Sequence, residues 1–113
     1  MKYAPKAGDL IWTDFEPRVG REQSGRRPAL VVSPVLLWLA SGFAIVCPIT
    51  SKIRPFGTSV VLPAGLPVAG EILCSHILSI DTEARPIAYA GASASEDILA
   101  HVRAKLAALI GFV

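Results

Sequence analysis

Short apolar segments separated by glycine and proline make up the first ninety residues of the chain. They are rich in Val, Ile and Leu and have the length of β-strands, which predicts a mainly β protein. Proline ends several of them, because it cannot donate a hydrogen bond to a sheet ladder. We expect strands near residues 9–14, 29–33, 43–48, 59–62, 71–77 and 86–90.

The last twenty residues follow a helical pattern instead. Ser93 and Glu96 have the spacing of a capping box at a helix start, and Gly111 is placed to end the helix. Apolar residues between them recur at helical spacing, which gives the helix one face for a core. These residues are Leu99, Val102, Leu106 and Leu109. The chain is therefore expected to form a small curled β-sheet or barrel with one C-terminal helix packed against it.

Length and composition limit the class of protein. A chain of 113 residues with 52% hydrophobic and 18% charged residues suits a single domain over residues 1–113. The most apolar stretch, residues 35–40, is far shorter than the roughly 20 residues of a membrane span. Cys47 and Cys74 lie in apolar runs and are expected to be buried thiols. With no apolar leader at the N-terminus, we expect a cytoplasmic protein without a membrane partner.

Positive charge is concentrated rather than high overall. The formal net charge is only +2, but six of the eleven Lys and Arg residues lie between Pro17 and Arg54, with one acid, Glu22, among them. Much of this charge falls in residues 15–28, a connection longer than the two to five residues usual in a hairpin. Long connections in compact domains are often functional, so the protein is expected to bind an anion there.

The residue types around this connection suit phosphate chemistry. Arg27 precedes Pro28 and a strand, so its guanidinium is a preorganised fork for a phosphate. Glu22 supplies a carboxylate, and the third strand ends in the hydroxyls of Thr50 and Ser51 followed by Lys52. RNA carries its own nucleophile, the 2′-hydroxyl, so cleavage requires positioning and charge stabilisation. We therefore expect action on single-stranded RNA with no metal and no cofactor.

Several motifs, in order along nearly the whole chain, resemble the MazF/PemK family of toxin endoribonucleases. They are Gly8-Asp9-Leu10-Ile11-Trp12, Asp14-Phe15-Glu16-Pro17, Gly20-x-Glu22-Gln23-x-Gly25-x-Arg27-Pro28-Ala29, Ser33-Pro34, Cys47-Pro48-Ile49-Thr50-Ser51, Ser79-Ile80-Asp81 and Ala84-Arg85. The resemblance implies an SH3-like β-barrel with a C-terminal helix, and a homodimer. It implies metal-independent cleavage of single-stranded RNA at short sequences to a 2′,3′-cyclic phosphate and a 5′-hydroxyl. It also implies a cognate antitoxin that lays an extended segment over the active groove.

The resemblance also assigns the site residues. Arg27, Thr50 and Glu22 fall on the family's essential arginine, its threonine and its loop carboxylate. A guanidinium is a poor proton donor, so we interpret Arg27 first as a clamp on the phosphorane. The remaining polar and aromatic residues of these motifs are expected to bind RNA. They are Phe15, Gln23, Ser24, Arg26, Ser51, Lys52, Arg54, Ser75 and His76.

Two segments depart from the family pattern. Ser75-His76 replaces an acidic residue followed by Gln or His, so His76 is either an RNA-facing group or a structural histidine in an apolar strand. Residues 35–40 replace a polar loop with an apolar one. An exposed apolar patch marks an interface, so this segment is expected to contact the antitoxin or the second subunit, the alternative being burial in the protein's own core. The expected contact residues are Leu37, Trp38 and Leu39.

Two other functions remain open from the sequence. The same fold is used by a toxin that binds DNA gyrase and cuts nothing, although such a protein has no need of residues 48–51. The second open function is that of a family member that binds RNA but whose catalysis is weakened by Ser75. A zinc site is not expected, because Cys47, Cys74 and the two histidines lack a recognised ligand spacing. His101 lies off the apolar face of the predicted helix and is expected to be solvated.

Overall fold

The computed structural model describes residues 2–15 and 26–112. In this part of the chain, seven strands form one antiparallel sheet, and two α-helices accompany it. The strands are β1 (Asp9–Thr13), β2 (Arg27–Val31), β3 (Phe43–Thr50), β4 (Ser59–Val61), β5 (Glu71–Leu73), β6 (Leu78–Asp81) and β7 (Ala88–Ser93), and the helices are α1 (Val35–Ser41) and α2 (Glu96–Ile110). The predicted mainly β fold with a C-terminal helix is confirmed.

The long strand β3 organises the sheet. The strand order is β4-β5-β3-β2-β1-β7, with β2 on one side of β3. On its other side, β6 pairs with the first half of β3 and β5 pairs with its end. Among the described residues, β4 and β7 end this order and do not pair with each other, so the sheet is barrel-like but not closed.

Both faces of the central strands are buried. One face packs against α2 and includes Leu10, Leu30 and Ile72. The opposite face is covered by a second cluster that includes Ile11 and Val31. This two-sided burial explains why the central strands are apolar runs rather than alternating patterns, because neither face meets water.

The helix α2 packs as predicted over most of its length. Leu99, Val102 and Leu106 are buried, whereas Leu109 is 44% exposed, so its prediction as a core residue is wrong. Leu109 lies in the last turn, close to the end at Gly111, where the helix extends past its packing partner. His101 is exposed, as expected.

The start of α2 differs from the predicted capping box. Ser95 is the N-cap, and its hydroxyl accepts a hydrogen bond from the Ile98 N–H at 3.2 Å. Ser93 is instead the last residue of β7, where its hydroxyl donates to the Asp9 carboxylate at 2.8 Å. The sheet therefore uses the serine that the sequence pattern assigned to the helix.

Two regions in the middle of the chain also differ from the prediction. The strand expected over residues 71–77 ends at Leu73, is followed by a 3-10 turn at Cys74–His76, and β6 begins at Leu78. The turn is needed because β5 and β6 pair with different halves of β3. The apolar residues 35–40, to which the pattern assigns no element, lie in α1.

The two cysteines are buried free thiols, as predicted. Both belong to the cluster that faces α2, where the Cys74 thiol donates to the Ile72 carbonyl at 3.9 Å. The interaction with the Cys74 thiol and burial raise the pKa of the Cys47 thiol. No helix within residues 2–15 and 26–112 is long and apolar enough to cross a membrane.

Candidate active site

The ends of β2 and β3 bring two predicted catalytic side chains together. The strands are antiparallel, with Ala29 opposite Pro48. Each strand extends two residues further in the same direction, to Arg27 and Thr50, so the register places these two residues opposite each other. Opposing residues of an antiparallel pair project to one face with Cβ atoms roughly 5 Å apart. The predicted arginine and threonine therefore stand side by side, Arg27 exposed and Thr50 half-buried.

This pair belongs to a longer row across the sheet. On β1, Thr13 lies opposite Arg27, and on β5, Glu71 lies opposite Thr50. We call Thr13, Arg27, Thr50 and Glu71 the cross-strand row. Its two outer members are buried, and its two inner members reach solvent. A guanidinium and a hydroxyl are therefore presented together from a rigid sheet.

The Thr50 hydroxyl is oriented by the chain that follows it. Its oxygen accepts a hydrogen bond from the Lys52 N–H at 3.2 Å. A hydroxyl has one proton and two lone pairs, so this contact leaves the proton to be donated to a bound group. Thr50 is therefore placed to donate a hydrogen bond to a ligand oxygen.

Glu71 ends the row with a carboxylate on a side chain that is 1% exposed. Its Oε1 accepts the Arg54 N–H at 2.9 Å, and its Oε2 accepts the Phe56 N–H at 3.3 Å and the Ser59 hydroxyl. The Ser59 hydroxyl and the two N–H groups lower the pKa of Glu71, although burial opposes them. The carboxylate is therefore ionised and engaged at neutral pH, which makes it a structural acceptor rather than a catalytic base.

Two arginines fix the chain on either side of the predicted RNA-binding connection. The Arg26 Nη2 donates to the carbonyls of Trp12 at 3.2 Å and Pro86 at 3.4 Å. The Arg85 guanidinium donates to the carbonyl of Phe15. The Arg26 side chain, predicted to bind RNA, is thus engaged with the protein backbone, so its contacts favour a positioning role.

The other predicted RNA-binding residues occupy several places. Ser51, Lys52 and Arg54 follow β3 and are exposed, whereas Phe15 packs partly against the apolar cluster opposite α2. Glu22, Gln23 and Ser24 lie outside the described residues, and their roles stay predictions.

Ser75 and His76 lie in the 3-10 turn that contacts β3, and both side chains are exposed. The expected apolar strand does not reach His76, and its exposure removes the alternative of a buried structural histidine. The side chain is therefore accessible to a ligand, on a turn between the strands that pair with the two halves of β3.

Metal-binding geometry is not apparent in this region. Within residues 2–15 and 26–112, no group of three or more His, Cys, Asp and Glu side chains is placed to share an ion. The chemistry that the described site offers is that of a cation and a donor hydroxyl beside a bound anion.

Sequence reasoning missed two residues that shape the site, Gly70 and Glu71. A Cβ on Gly70 would meet the backbone of Thr50, and the Glu71 carboxylate holds the chain after Thr50. The available signal was a charged residue between a glycine and the apolar pair Ile72-Leu73, a position where an unpaired carboxylate would be costly.

Comparisons with known proteins identify the family of the chain. The family model for the PemK-like, MazF-like toxin of type II toxin–antitoxin systems matches residues 6–110. The endoribonuclease toxin MazF of Escherichia coli (strain K12) is 38% identical over 110 residues, covering 97% of each chain.

Solved structures show the same relationship. A crystal structure of MazF from Deinococcus radiodurans is 44% identical, with a TM-score of 0.86 and coverage of 97% of this chain and 99% of that one. A MazE–MazF structure from the same organism is 42% identical, with a TM-score of 0.87 and coverage of 96% and 98%. Fold and sequence agree over nearly the full length, and the chain belongs to the PemK-like, MazF-like toxin family of type II toxin–antitoxin systems.

Proposed function

We propose that the protein is the toxin of a type II toxin–antitoxin system and cuts single-stranded RNA at short sequences without a metal or cofactor. The products are a 2′,3′-cyclic phosphate and a 5′-hydroxyl. The similar protein of Escherichia coli is named an endoribonuclease, and the match covers 97% of both chains. The proposal takes the protein as a single catalytic domain over residues 1–113.

The observation that carries the proposal is the register that sets Arg27 beside Thr50 at the accessible centre of the cross-strand row. In RNA cleavage the 2′-hydroxyl attacks phosphorus, and negative charge accumulates on the phosphorane oxygens. A guanidinium fork binds the two non-bridging oxygens that carry this charge, and a donor hydroxyl adds a second hydrogen bond to one of them. Arg27 is therefore the electrostatic clamp, and Thr50 positions the phosphate through its hydroxyl proton.

The proton of the attacking 2′-hydroxyl requires an acceptor. Glu71 does not fill this role, because three donors already occupy its carboxylate. Glu22 is the carboxylate that the sequence assigns to the reaction. We propose that Glu22 accepts or relays this proton, and that the departing 5′-oxygen takes a proton from solvent as the P–O5′ bond breaks, which gives the 5′-hydroxyl.

The substrate path follows from the exposed residues around the pair. Ser51, Lys52 and Arg54 extend from the end of β3 and suit neighbouring phosphates. Ser75 and His76 on the 3-10 turn present a hydroxyl and an imidazole that suit a splayed base. Phe15, Gln23, Ser24 and Arg26 complete the proposed RNA-binding set, with Arg26 acting through the backbone carbonyls that it holds.

An antitoxin and a second copy of the chain are the proposed protein partners. MazE–MazF complexes of Deinococcus radiodurans proteins have been crystallised, and those MazF chains are similar to this protein. None of the side chains of α1 is fully buried, and Leu36 and Leu39 are 71% and 63% exposed. We propose that α1 contacts the antitoxin or the second subunit. An RNA substrate and buried free thiols fit a cytoplasmic location.

One experiment tests the activity. The purified protein is incubated with a long unstructured RNA in EDTA, and the 5′ ends of the fragments are mapped. Cleavage at recurrent short sequences, with 5′-hydroxyl ends, is expected. Arg27→Ala and Thr50→Ala variants that remain folded should cut no RNA, and full activity in either would remove that residue from the mechanism.

The alternatives are distinguished by the same assay. RNA binding without fragments would indicate a member weakened by Ser75, and neither binding nor cleavage would favour a toxin that acts on a protein such as gyrase. The pairing of exposed Arg27 with half-buried Thr50 favours the nuclease, because a gyrase binder has no use for a phosphate clamp.

A further inference from the structure

The chain after β3 is held against the cross-strand row by alternate backbone N–H groups. The Lys52 N–H donates to the Thr50 hydroxyl oxygen at 3.2 Å. Two residues further, the Arg54 N–H donates to Glu71 Oε1 at 2.9 Å, and the Phe56 N–H follows with Glu71 Oε2 at 3.3 Å. Residues 51–57, which we call the cationic segment, therefore turn at Thr50 and are held around the Glu71 carboxylate at the end of the row.

Glu71 supplies most of these attachments from a buried position. Its side chain is 1% exposed, yet its two oxygens receive the Arg54 and Phe56 N–H groups and the Ser59 hydroxyl. Burying a charge without such partners is costly, so the carboxylate and the segment stabilise each other's position. Hydrogen bonds to an ionised acceptor are stronger than neutral ones, which suits a segment made otherwise of exposed residues.

The far end of the cationic segment has a separate attachment. The Lys105 ammonium on α2 donates to the Gly57 carbonyl at 2.6 Å. Apart from these backbone attachments to Glu71 and Lys105, the cationic segment is held by little else, since every one of its residues is exposed. The position of Arg54 near the row thus depends on Glu71, which contacts its backbone directly.

We propose that Glu71 is a positioning residue for the RNA substrate: its carboxylate fixes the backbone at Arg54 so that the Arg54 guanidinium meets a phosphate beside the Arg27–Thr50 pair. The inference rests on the proposed nuclease function. Glu71 does not touch the reacting atoms, so its removal acts on substrate binding more than on the chemical step. A preorganised cation costs less conformational entropy on binding than a mobile one.

Steady-state cleavage of a fluorogenic RNA containing the mapped site tests the proposal. Glu71→Val keeps a strand-forming residue and removes all three acceptor contacts. KM should rise about tenfold, with kcat within about threefold of the wild type, because weaker binding of the phosphates affects the ground state and the transition state together. The slope of log KM against log salt should fall by roughly 0.7 for each phosphate that the segment no longer neutralises.

A double-mutant cycle separates positioning from a general structural effect. If Glu71 acts through Arg54, adding Glu71→Val to Arg54→Ala should raise KM no further than Arg54→Ala alone. A Leu99→Ala variant, altered in the core away from the segment, should lower Tm while leaving KM unchanged. Additive effects of the two site substitutions, or an unchanged KM in Glu71→Val, would overturn the proposal.

Two further outcomes are distinguishable. If Glu71→Val does not fold, Glu71→Gln carries the test, because its amide oxygen retains one acceptor. KM should then rise about threefold and again not add to Arg54→Ala, and a KM equal to that of the wild type would overturn the inference. A wild-type protein that cuts no RNA contradicts the proposed function, whereas normal wild-type cleavage with an unaffected Glu71→Val contradicts only the role of Glu71.

Discussion

Gly70 lies so close to Thr50 that no side chain fits between them. A Cβ built on Gly70 would stand 2.2 Å from the Thr50 carbonyl oxygen and 2.9 Å from its carbonyl carbon. The φ of Gly70 is +136°, a backbone conformation that residues with a side chain rarely adopt. This close approach fixes β5 against the end of β3, where Thr50 meets Glu71.

Replacing Gly70 with alanine should therefore displace the backbone of Thr50. We expect Gly70→Ala to destabilise the fold by about 2–4 kcal/mol, since the clash involves backbone atoms that cannot rotate away. RNA cleavage should fall by at least about tenfold in the protein that remains folded, because the donor hydroxyl is no longer held in position. Urea unfolding and the cleavage assay measure the two effects.

Gly65→Ala provides the matched control. Gly65 also has a positive φ, +98°, but nothing lies within 4 Å of a Cβ built there. It should show only the backbone cost of about 1 kcal/mol, with unchanged cleavage. Equal losses in the two alanine variants would show that the close approach to Thr50 is unimportant.

The roles of Arg27 and Thr50 predict distinct effects of conservative changes. Arg27→Lys keeps the charge but cannot bind two oxygens at once, so kcat should fall by about 10²-fold. Thr50→Ser keeps the donor hydroxyl and should retain most activity, whereas Thr50→Val keeps the shape and should reduce activity by about 10²-fold or more. Single-turnover cleavage of a short RNA compares these variants.

Arg26→Ala is the control for the loss of a positive charge next to Arg27. Because its guanidinium is engaged by the carbonyls of Trp12 and Pro86, its removal should lower Tm and affect cleavage less than Arg27→Ala does. A greater loss of cleavage in Arg26→Ala than in Arg27→Ala would reverse the assignment of the clamp.

The strands and the final helix are predictable because their signals are local. Apolar runs between prolines locate most of the strands, and helical spacing locates α2. The prediction fails where tertiary contacts decide: the run over residues 71–77 is largely apolar, but β3 pairs with two different strands along its length. Ser93 likewise satisfies a helix-capping pattern, yet its hydroxyl is used by Asp9, a residue distant in sequence.

The sequence predicts which residues form the candidate site, but it does not predict the Glu71 contacts that hold the chain beside them. The motifs identify Arg27 and Thr50, and the strand register brings them together. The contribution of Glu71 depends on three donors, from Arg54, Phe56 and Ser59, which lie more than ten residues earlier in the chain. No local pattern predicts such an arrangement, because it is created by the pairing of β5 with β3.

Glu71 should also make the stability of the protein sensitive to acid. Its partners lower its pKa in the folded state below the ordinary value of 4.5. The unfolded chain therefore binds its proton first, and the stabilisation is complete above about pH 4.5 and is lost as pH falls through the lowered pKa. Unfolding free energies of the wild type and Glu71→Gln, measured between pH 7 and pH 3, should converge as the pH falls.

Ser59→Ala is a matched variant for this pH dependence. It keeps the carboxylate but removes the hydroxyl that contributes most to the lowered pKa. The acid-dependent loss of stability should be smaller than in the wild type and larger than in Glu71→Gln. Parallel pH profiles for all three proteins would show that Glu71 does not cause the acid sensitivity.

Because the exposed leucines of α1 are proposed to contact a protein partner, replacing them should weaken association with the antitoxin or the second subunit and leave the protein folded. Leu36 and Leu39 are exposed, whereas the half-buried Trp38 donates its indole N–H to the Thr82 hydroxyl at 3.0 Å. Replacing both leucines with serine should weaken association at least about tenfold, since each buried leucine contributes about 2 kcal/mol. Sedimentation and antitoxin titration measure this change, and Trp38→Phe, which removes only the hydrogen bond, should associate normally. Unchanged association of the folded leucine variant would place the interface elsewhere.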